Sequence, residues 1–492
     1  LMRMFGTWAG VDAKNVDAIC GELASSVENQ AFAYANSPLA GTPSLRDSQP
    51  IEWEQSVLEG HVTHPMHKAR YAIAPLPPMR PSLELYNTHM RFVTMPKSEL
   101  SIIGDFGKEI RDLTTASLDD AHRHLIDDES IVVIPVHSMQ VPNVLAKFPL
   151  AVLLPETCQV PILGQASMRT VTIESVSDKY CLKLPIGIKI SSALRTITPW
   201  TTNIVGSIQP ALDVILDTTQ RHGGSLLSTR EYASVVSSDA DFDKAKHLSC
   251  VVRESSEAQA AKTGDRIIIC ASLTEEQHGA HATGDSNEPR LPQMYNIWPE
   301  RLSTLEGKVA FLREYSSNLI KAVIPALFEH SFAFEAHGQN MLVRVHPDTG
   351  AISGFVARDY GGIKFHPETL AKSTAHLPNG PVRIAALPDN AVEAHSLEES
   401  YRVAYHTVVQ MHLFAIIRAL GLYRSADLAV DGLGWRVVRE EMDKVLPQNH
   451  LIRTLWLETP TCSLKSFISM KLDGLYRDYV YSTVPNMLCY TG

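Results

Sequence analysis

Strand and helix signals separate along this chain, and that separation is the strongest constraint on its fold. Between Leu83 and Cys270 the sequence breaks into short β-rich runs bounded by turn residues: Met90 to Met95, Ser130 to Pro135, Thr170 to Glu174, Cys181 to Ile190, His247 to Val252 and Arg266 to Ala271. After residue 305 the apolar positions fall instead at helical spacing, with Leu312, Tyr315, Leu319, Ile320, Val323, Leu327 and Phe328 on one stripe and Pro325 as an expected kink. Further helical stripes run from Tyr401 to Leu420, Trp435 to Val445 and Leu464 to Tyr481. Segregated strands and helices read as an α+β fold with antiparallel hairpins embedded in helices. An N-terminal helix over residues 10–35 and another from Ile51 to Glu59 precede the prolines at 75, 77, 78 and 81, which mark a first boundary. The polar stretch Thr274 to Pro292 marks a second. The expected regions are therefore 1–80, helical; 81–305, β-rich; and 306–492, helical around a hairpin.

Length and charge exclude several classes. A chain of 492 residues buries a large core without staples. With 44 Lys and Arg against 54 Asp and Glu it lacks the basic footprint of a nucleic-acid binder. Its longest apolar runs, Ile131 to Val136 and Phe148 to Pro155, fall short of the roughly twenty residues that cross a bilayer. The start has no apolar signal core, and seven scattered cysteines contain no CxxC pair, so a cytoplasmic setting is expected and no membrane partner.

Four clusters carry the chemistry. Glu335-Ala-His337-Gly-Gln339-Asn340 and Arg358-Asp359-Tyr-Gly361-Gly362 flank two strand-like runs joined by Pro347-Asp-Thr-Gly350, so an antiparallel hairpin brings Asn340 and Asp359 together at its open end. There Asn340, Asp359 and Glu335 offer hard oxygens suited to Mg²⁺, and His337 and Gln339 add hydrogen-bonding groups. His61, His64, His67, Lys68 and Arg70 crowd one segment that attracts anions; Pro65 and the lack of a fourth ligand argue against zinc. Lys183 to Pro199 reads as a strand entering a helix through Ser191 and Ser192. Arg195 and Thr196 follow, which makes either a phosphate site or an ordinary cap. His137 and Gln140 follow the strand Ile131 to Ile134, where a cleft-facing role and a structural hydrogen bond are both open. Lys465 lies on the last helical stripe with Lys471 and Arg477, a solvated face and also a candidate substrate contact. No GxxxxGK[ST], strand-borne GxGxxG or HExxH occurs.

In order, these clusters resemble the NRPS-independent siderophore synthetases, the aerobactin-synthetase-like (IucA/IucC) family. Its HPxHPxxKxR, PvHPwQ, KxxxxxxxTSxxRT and HxQN…RDxxG segments are similar to residues 61–70, 135–140, 183–196 and 337–362. The resemblance implies a cupped hand of thumb, fingers and palm. It also implies an ATP-dependent ligase that adenylates a carboxylate, most often citrate, and passes it to an amine or hydroxyl. ATP and Mg²⁺ are the implied cofactors, small molecules the partners, and a homodimer is possible. By the same resemblance His61, Ser191, Ser192, Arg195, Thr196, Gln339, Asn340 and Asp359 hold the nucleotide, Arg195 and His337 act in catalysis, and His337, His137 and Lys465 meet the substrate. An aminoglycoside-phosphotransferase-like kinase also places Asn and Asp at a hairpin end, but Gln339 occupies the place of its catalytic Asp and no Gly-rich loop precedes it. A non-catalytic binder of citrate or ferric chelates is the third reading.

Overall fold

The computed structural model describes residues 1–490 except 40, 61–63, 65, 191–192, 277–289, 428–429 and 476–479. Two main sheets, of nine and four strands, build it with a three-stranded sheet, two two-stranded ones and a set of helices.

The larger sheet has nine strands, all paired antiparallel, drawn from residues 87–254. β1 (Asn87–Pro96) pairs with β2 (Ile131–His137) from Met90 opposite His137 to Pro96 opposite Ile131. β2 is a nearly continuous apolar run, buried beyond its first residue, yet it contains Pro135. That proline is tolerated because β2 is an edge strand, where the missing N–H leaves no ladder partner wanting. Phe92, Ile134, Val171, Leu182, Val235 and Val252 form the core of this sheet.

The run expected as one strand from Cys181 to Ile190 is two. β3 (Tyr180–Lys183) stays in the large sheet, and β4 (Ile188–Ile190) joins a separate three-stranded one. Pro185 cannot donate to a ladder, and at Gly187 a Cβ would stand 1.9 Å from Asn143 Nδ2, so the chain bends here under close packing. The helix expected after Ser191 and Ser192 is also absent. Residues 193–194 form β5 (Ala193–Leu194), which turns back on β4, and a helix starts only at Pro199, capped by Thr198.

The smaller sheet takes its four strands in the order Leu226–Ser228, β8, β7 and β6, where β6 is Arg266–Ile269, β7 is Met341–Val345 and β8 is Ile352–Ala357. The β7–β8 hairpin expected from sequence is thus the middle of a sheet. Behind it lies the long helix α1 (Leu305–His330), N-capped by Thr304 and unbroken through Pro325. Its expected stripe packs with both sheet faces' residues into one core that includes Phe311, Tyr315, Leu319, Phe355 and Val356.

The helix expected from Leu464 to Tyr481 is a ribbon. β9 (Thr461–Lys465) pairs with β10 (Tyr481–Pro485), Lys465 opposite Tyr481, with only a short helix, α2 (Phe467–Leu472), between them. Alternating β-prone residues such as Thr461, Thr483 and Val484 favour strands, and Gly474 in the left-handed region (φ +68°) stops the helix. No helix among the described residues is long and apolar enough to cross a membrane.

Candidate active site

The β7–β8 register sets the centre. Met341 faces Ala357, so Asn340 and Arg358 close the hairpin through the Arg358 N–H donating to the Asn340 carbonyl at 3.1 Å. The next residue, Asp359, takes a left-handed conformation (φ +64°) stabilised by the Gly361 N–H on its carboxylate at 3.4 Å. The hairpin end is not exposed as its polarity suggests: Asn340 is 8% accessible and the Asp359 side chain 16%.

Cations converge on Asp359 from the larger sheet. Lys183 on β3, fully buried, donates to Oδ1 at 2.6 Å, and Arg169 Nη2 stands 3.8 Å from Oδ2. Burial alone would raise the Asp359 carboxyl, but Lys183, Arg169 and Arg253 override it and hold the group well below the usual carboxylate range. Beneath them Glu231, cross-strand from Arg253, is buried with neither oxygen hydrogen-bonded among the described residues, and burial raises its carboxyl against the pull of Lys183. Lys183, Arg169 and Arg253 thus face Asp359 and Glu231 in one electrostatic cluster.

A third carboxylate lies beside Asp359. Glu335 accepts from Asn340 Nδ2 at 3.2 Å, and burial together with Asp359 pushes it up to about 7 while Lys465, Arg169 and Lys183 oppose. Gly362 is required here because a Cβ would sit 2.0 Å from Glu335 Oε2. Glu335, Asn340 and Asp359 therefore form a set of oxygens and one amide suited to a hard cation with phosphates completing the shell. Arg358 secures this end from behind: it pairs with the buried Glu54 through Nη1 and Nη2 and donates to the Gln339 carbonyl from Nε at 3.1 Å and Nη2 at 2.8 Å.

His337 is buried, its Nδ1 accepting the Gln339 N–H at 3.2 Å, and burial lowers it to about 4. Its backbone is set by His412, which donates from Nδ1 to the Ala336 carbonyl at 2.9 Å and accepts the Tyr315 hydroxyl at 2.8 Å. From the ribbon, Lys465 reaches toward Glu335 and lies 5.2 Å from the Phe467 ring; burial lowers its ammonium. Phe467 packs on His64 at 4.8 Å, and Arg195 and His64 lie within electrostatic reach of each other.

Of the residues singled out from sequence, Glu335, His337, Asn340, Asp359 and Lys465 come together. Gln339 contributes its anchored backbone. Thr196 joins indirectly, its carbonyl accepting Arg169 Nη1 at 2.7 Å, and Arg195 is fixed by backbone pairing to Ile186 and Ile188. His61, Ser191 and Ser192 lie outside the described residues. His137 sits at the end of β2 with no solvent exposure; its Nδ1 accepts the Met139 N–H and its Nε2 has no partner among the described residues. Gln140 is equally buried and donates to His247. Among the described residues the one trio of His, Cys, Asp or Glu ligand atoms within 4.8 Å of one another is Asp119, His122 and Cys158, residues of the larger-sheet region. There the Asp119 carboxylate already accepts from His122 and Thr157 at 2.6 Å each.

Sequence reasoning missed Arg169, Arg253 and Glu231, which only the fold brings to Asp359. Lys183 carried a readable signal, a lone charge inside an otherwise apolar run from Tyr180 to Ile188.

The chain resembles known proteins in sequence and in fold. The chain matches the IucA / IucC family over residues 49–275 and the family described as Ferric iron reductase FhuF-like transporter over residues 309–477. It is 37% identical over 485 residues to an NRPS-independent siderophore synthetase of Rhizopus delemar, covering 98% of this chain and 72% of that protein. An NRPS-independent siderophore synthetase-like protein of Aspergillus thermomutatus is 31% identical over 480 residues, covering 93% and 73%. A more distant relative, at 20% over 97% of this chain and 77% of its own length, is a D-ornithine–citrate ligase of Staphylococcus aureus. In fold, the chain superposes on ATP-bound aerobactin synthetase IucA from Klebsiella pneumoniae with a TM-score of 0.74 at 18% identity, covering 99% of this chain and 85% of that one.

Proposed function

The chain belongs to the NRPS-independent siderophore synthetases, the IucA / IucC family, and from that premise we propose that its site adenylates citrate or a related polycarboxylate and condenses it with an amine or hydroxyl. It is an ATP-dependent ligase that forms AMP through an acyl adenylate. The observation that carries the reading is the convergence of Lys183, Arg169 and Arg253 on Asp359 beside Glu335 and Asn340. A polycarboxylate beside a triphosphate is strongly repelled in a low-dielectric site, and fixed cations offset that repulsion while stabilising charge as pyrophosphate leaves.

In this reading Arg169, Lys183 and Arg195 face the polyphosphate, with His61, Ser191, Ser192 and Thr196 completing the nucleotide's surroundings. Gln339, Asn340 and Asp359 hold its metal-bound end. Glu335, Asn340 and Asp359 would hold Mg²⁺, which supplies Lewis-acid neutralisation of phosphate charge when bound. His337 and Lys465 hold the acyl donor, and His137 acts on the substrate side through packing. Residues 1–80, 81–305 and 306–492 then correspond to the thumb, fingers and palm of a cupped hand, the smaller sheet being the seam where the second and third interlock.

The test is incubation with ATP, Mg²⁺ and citrate, 2-oxoglutarate or succinate, with and without amines, following pyrophosphate, phosphate and ADP separately. Carboxylate-dependent pyrophosphate is expected. ADP would instead indicate a kinase, and no turnover a binder.

A further inference from the structure

Two histidines of the site are locked in opposite tautomers. His337 Nδ1 accepts a backbone N–H, so its proton sits on Nε2, which is a donor. His406 is fixed the other way by a relay. Gln410 Nε2 donates to the Ser463 carbonyl at 3.1 Å, and because a carbonyl only accepts, the amide nitrogen must face it. Gln410 Oε1 therefore faces His406 Nδ1, 2.9 Å away, and can only accept. The proton of His406 is on Nδ1, and its Nε2 carries a lone pair.

The placement of His406 fits a role in the same site. It is the second residue of a π-helical stretch, Tyr405–Leu413, a conformation that displaces side chains from their α-helical positions and recurs at functional sites. Its ring is 6.3 Å from that of Phe467, the residue that also stacks on His64 and on Lys465. The charged and titratable groups around it are Lys465 on β9, which it senses directly, and His337 before β7, which senses it. Burial, with Lys465 opposing a positive charge, keeps the ring neutral.

Resting on the adenylation reading above, we infer that His406 Nε2 is the base of the second half-reaction, while the Nε2–H of His337 holds the acyl donor. The nucleophile's nitrogen attacks the acyl carbon and forms the C–N bond; the C–O bond to the AMP phosphate breaks, its electron pair leaving with AMP. The proton shed by the nitrogen passes to His406 Nε2 and then to solvent. The ribbon that orients Gln410 through Ser463 thereby sets the protonation site of the base.

The experiment separates the two half-reactions. His406→Asn keeps an N–H near the position of Nδ1, so the Gln410 contact survives, but removes the base. With citrate, 2-oxoglutarate or succinate as donor, carboxylate-dependent ATP–pyrophosphate exchange should stay within about twofold of wild type, since binding and adenylation are untouched. Amide formation with ornithine or 2,3-diaminopropanoate should fall about 10²-fold or more. Wild-type transfer should show a rising limb below the ordinary imidazole value of about 6.5 that His406→Asn loses. Gln410→Glu should shift that limb to higher pH, because a carboxylate on Nδ1–H stabilises the imidazolium. Amide formation keeping pace with exchange in His406→Asn, the two falling together, or a limb that Gln410→Glu leaves in place would each overturn the assignment. Absence of exchange in wild type with every donor would instead overturn the adenylation reading on which it rests.

Discussion

The β7–β8 hairpin and the β9–β10 ribbon bring polar side chains to one site by different means. The hairpin is flanked on both sides by further strands and backed by α1, and nearly every residue of its strands is buried where they approach Asn340 and Asp359. The ribbon stands as two strands, partly exposed along its length, a unit that is marginal by itself. It is held from outside: Lys471 pairs with Glu22 at 2.8 Å, Asn15 donates to the Leu472 carbonyl at 3.1 Å, and Gln410 reaches Ser463. In the proposed reading, charge handling would sit on the more buried element and the Lys465 contact to the carboxylate on the less buried one.

The largest break in this comparison comes at Asp359. Asp359→Asn keeps the shape but leaves Lys183 buried against a neutral partner, so adenylation should drop about 10³-fold and stability by about 3 kcal/mol. Exchange kinetics and urea unfolding check both. A variant with near wild-type exchange at low Mg²⁺ would remove Asp359 from the metal and phosphate end.

Next in size is the ion pair behind the hairpin. Arg358→Met strands Glu54 in the core and should cost about 3–5 kcal/mol, whereas Arg358→Met with Glu54→Leu should recover most of that because both charges are gone. If the double variant is no more stable than the single, the pair contributes through the Gln339 carbonyl, not through charge.

The two elements were also unequally legible. The hairpin could be read because its turn, Pro347 to Gly350, and its two apolar runs are local signals, and its open end follows from counting residues. The ribbon reads as a helix in sequence because Leu464, Phe467, Ile468 and Lys471 recur at helical spacing, while the competing strand pairing of 461–465 with 481–485 is non-local. The same blindness hid Arg169, Arg253 and Glu231, whose proximity to Asp359 is a property of strand order. It also hides the burial of the hairpin end, polar in sequence: nothing local announces that Lys183 will cover it.

On the ribbon, Lys465→Ala should act on recognition alone. The KM for the carboxylate should rise about tenfold with kcat changed much less, and the unfolding midpoint should hardly move, since Lys465 lies on the partly exposed ribbon and packs on Phe467. A large stability loss would mean that the ribbon is as integral as the hairpin.

The smallest effect tests whether the rigid side carries a stability cost that the ribbon lacks. Glu257 lies on the helix Ser256–Thr263 close to Glu54 and Arg358; burial, helped by Glu54, pushes its carboxyl up to about 7 although backbone N–H groups and Arg358 pull it down. In the unfolded chain this group loses its proton near 4.5, while the folded protein holds it to about 7. Between those values the folded state binds more protons than the unfolded one, so stability falls as pH rises through that window and then levels off. Glu257→Gln removes the titration. The variant should match wild type near pH 5 and exceed it by about 1 kcal/mol at pH 8, read from urea midpoints at the two pH values. The corresponding change on the ribbon's tether, Glu22→Gln, deletes a pairing with Lys471 and should lower stability by about 0.5 kcal/mol at neutral pH. Opposite signs for the two substitutions at pH 8 would show that burial at the hairpin is maintained against electrostatics. A loss in both would place the hairpin and the ribbon under the same energetic rule.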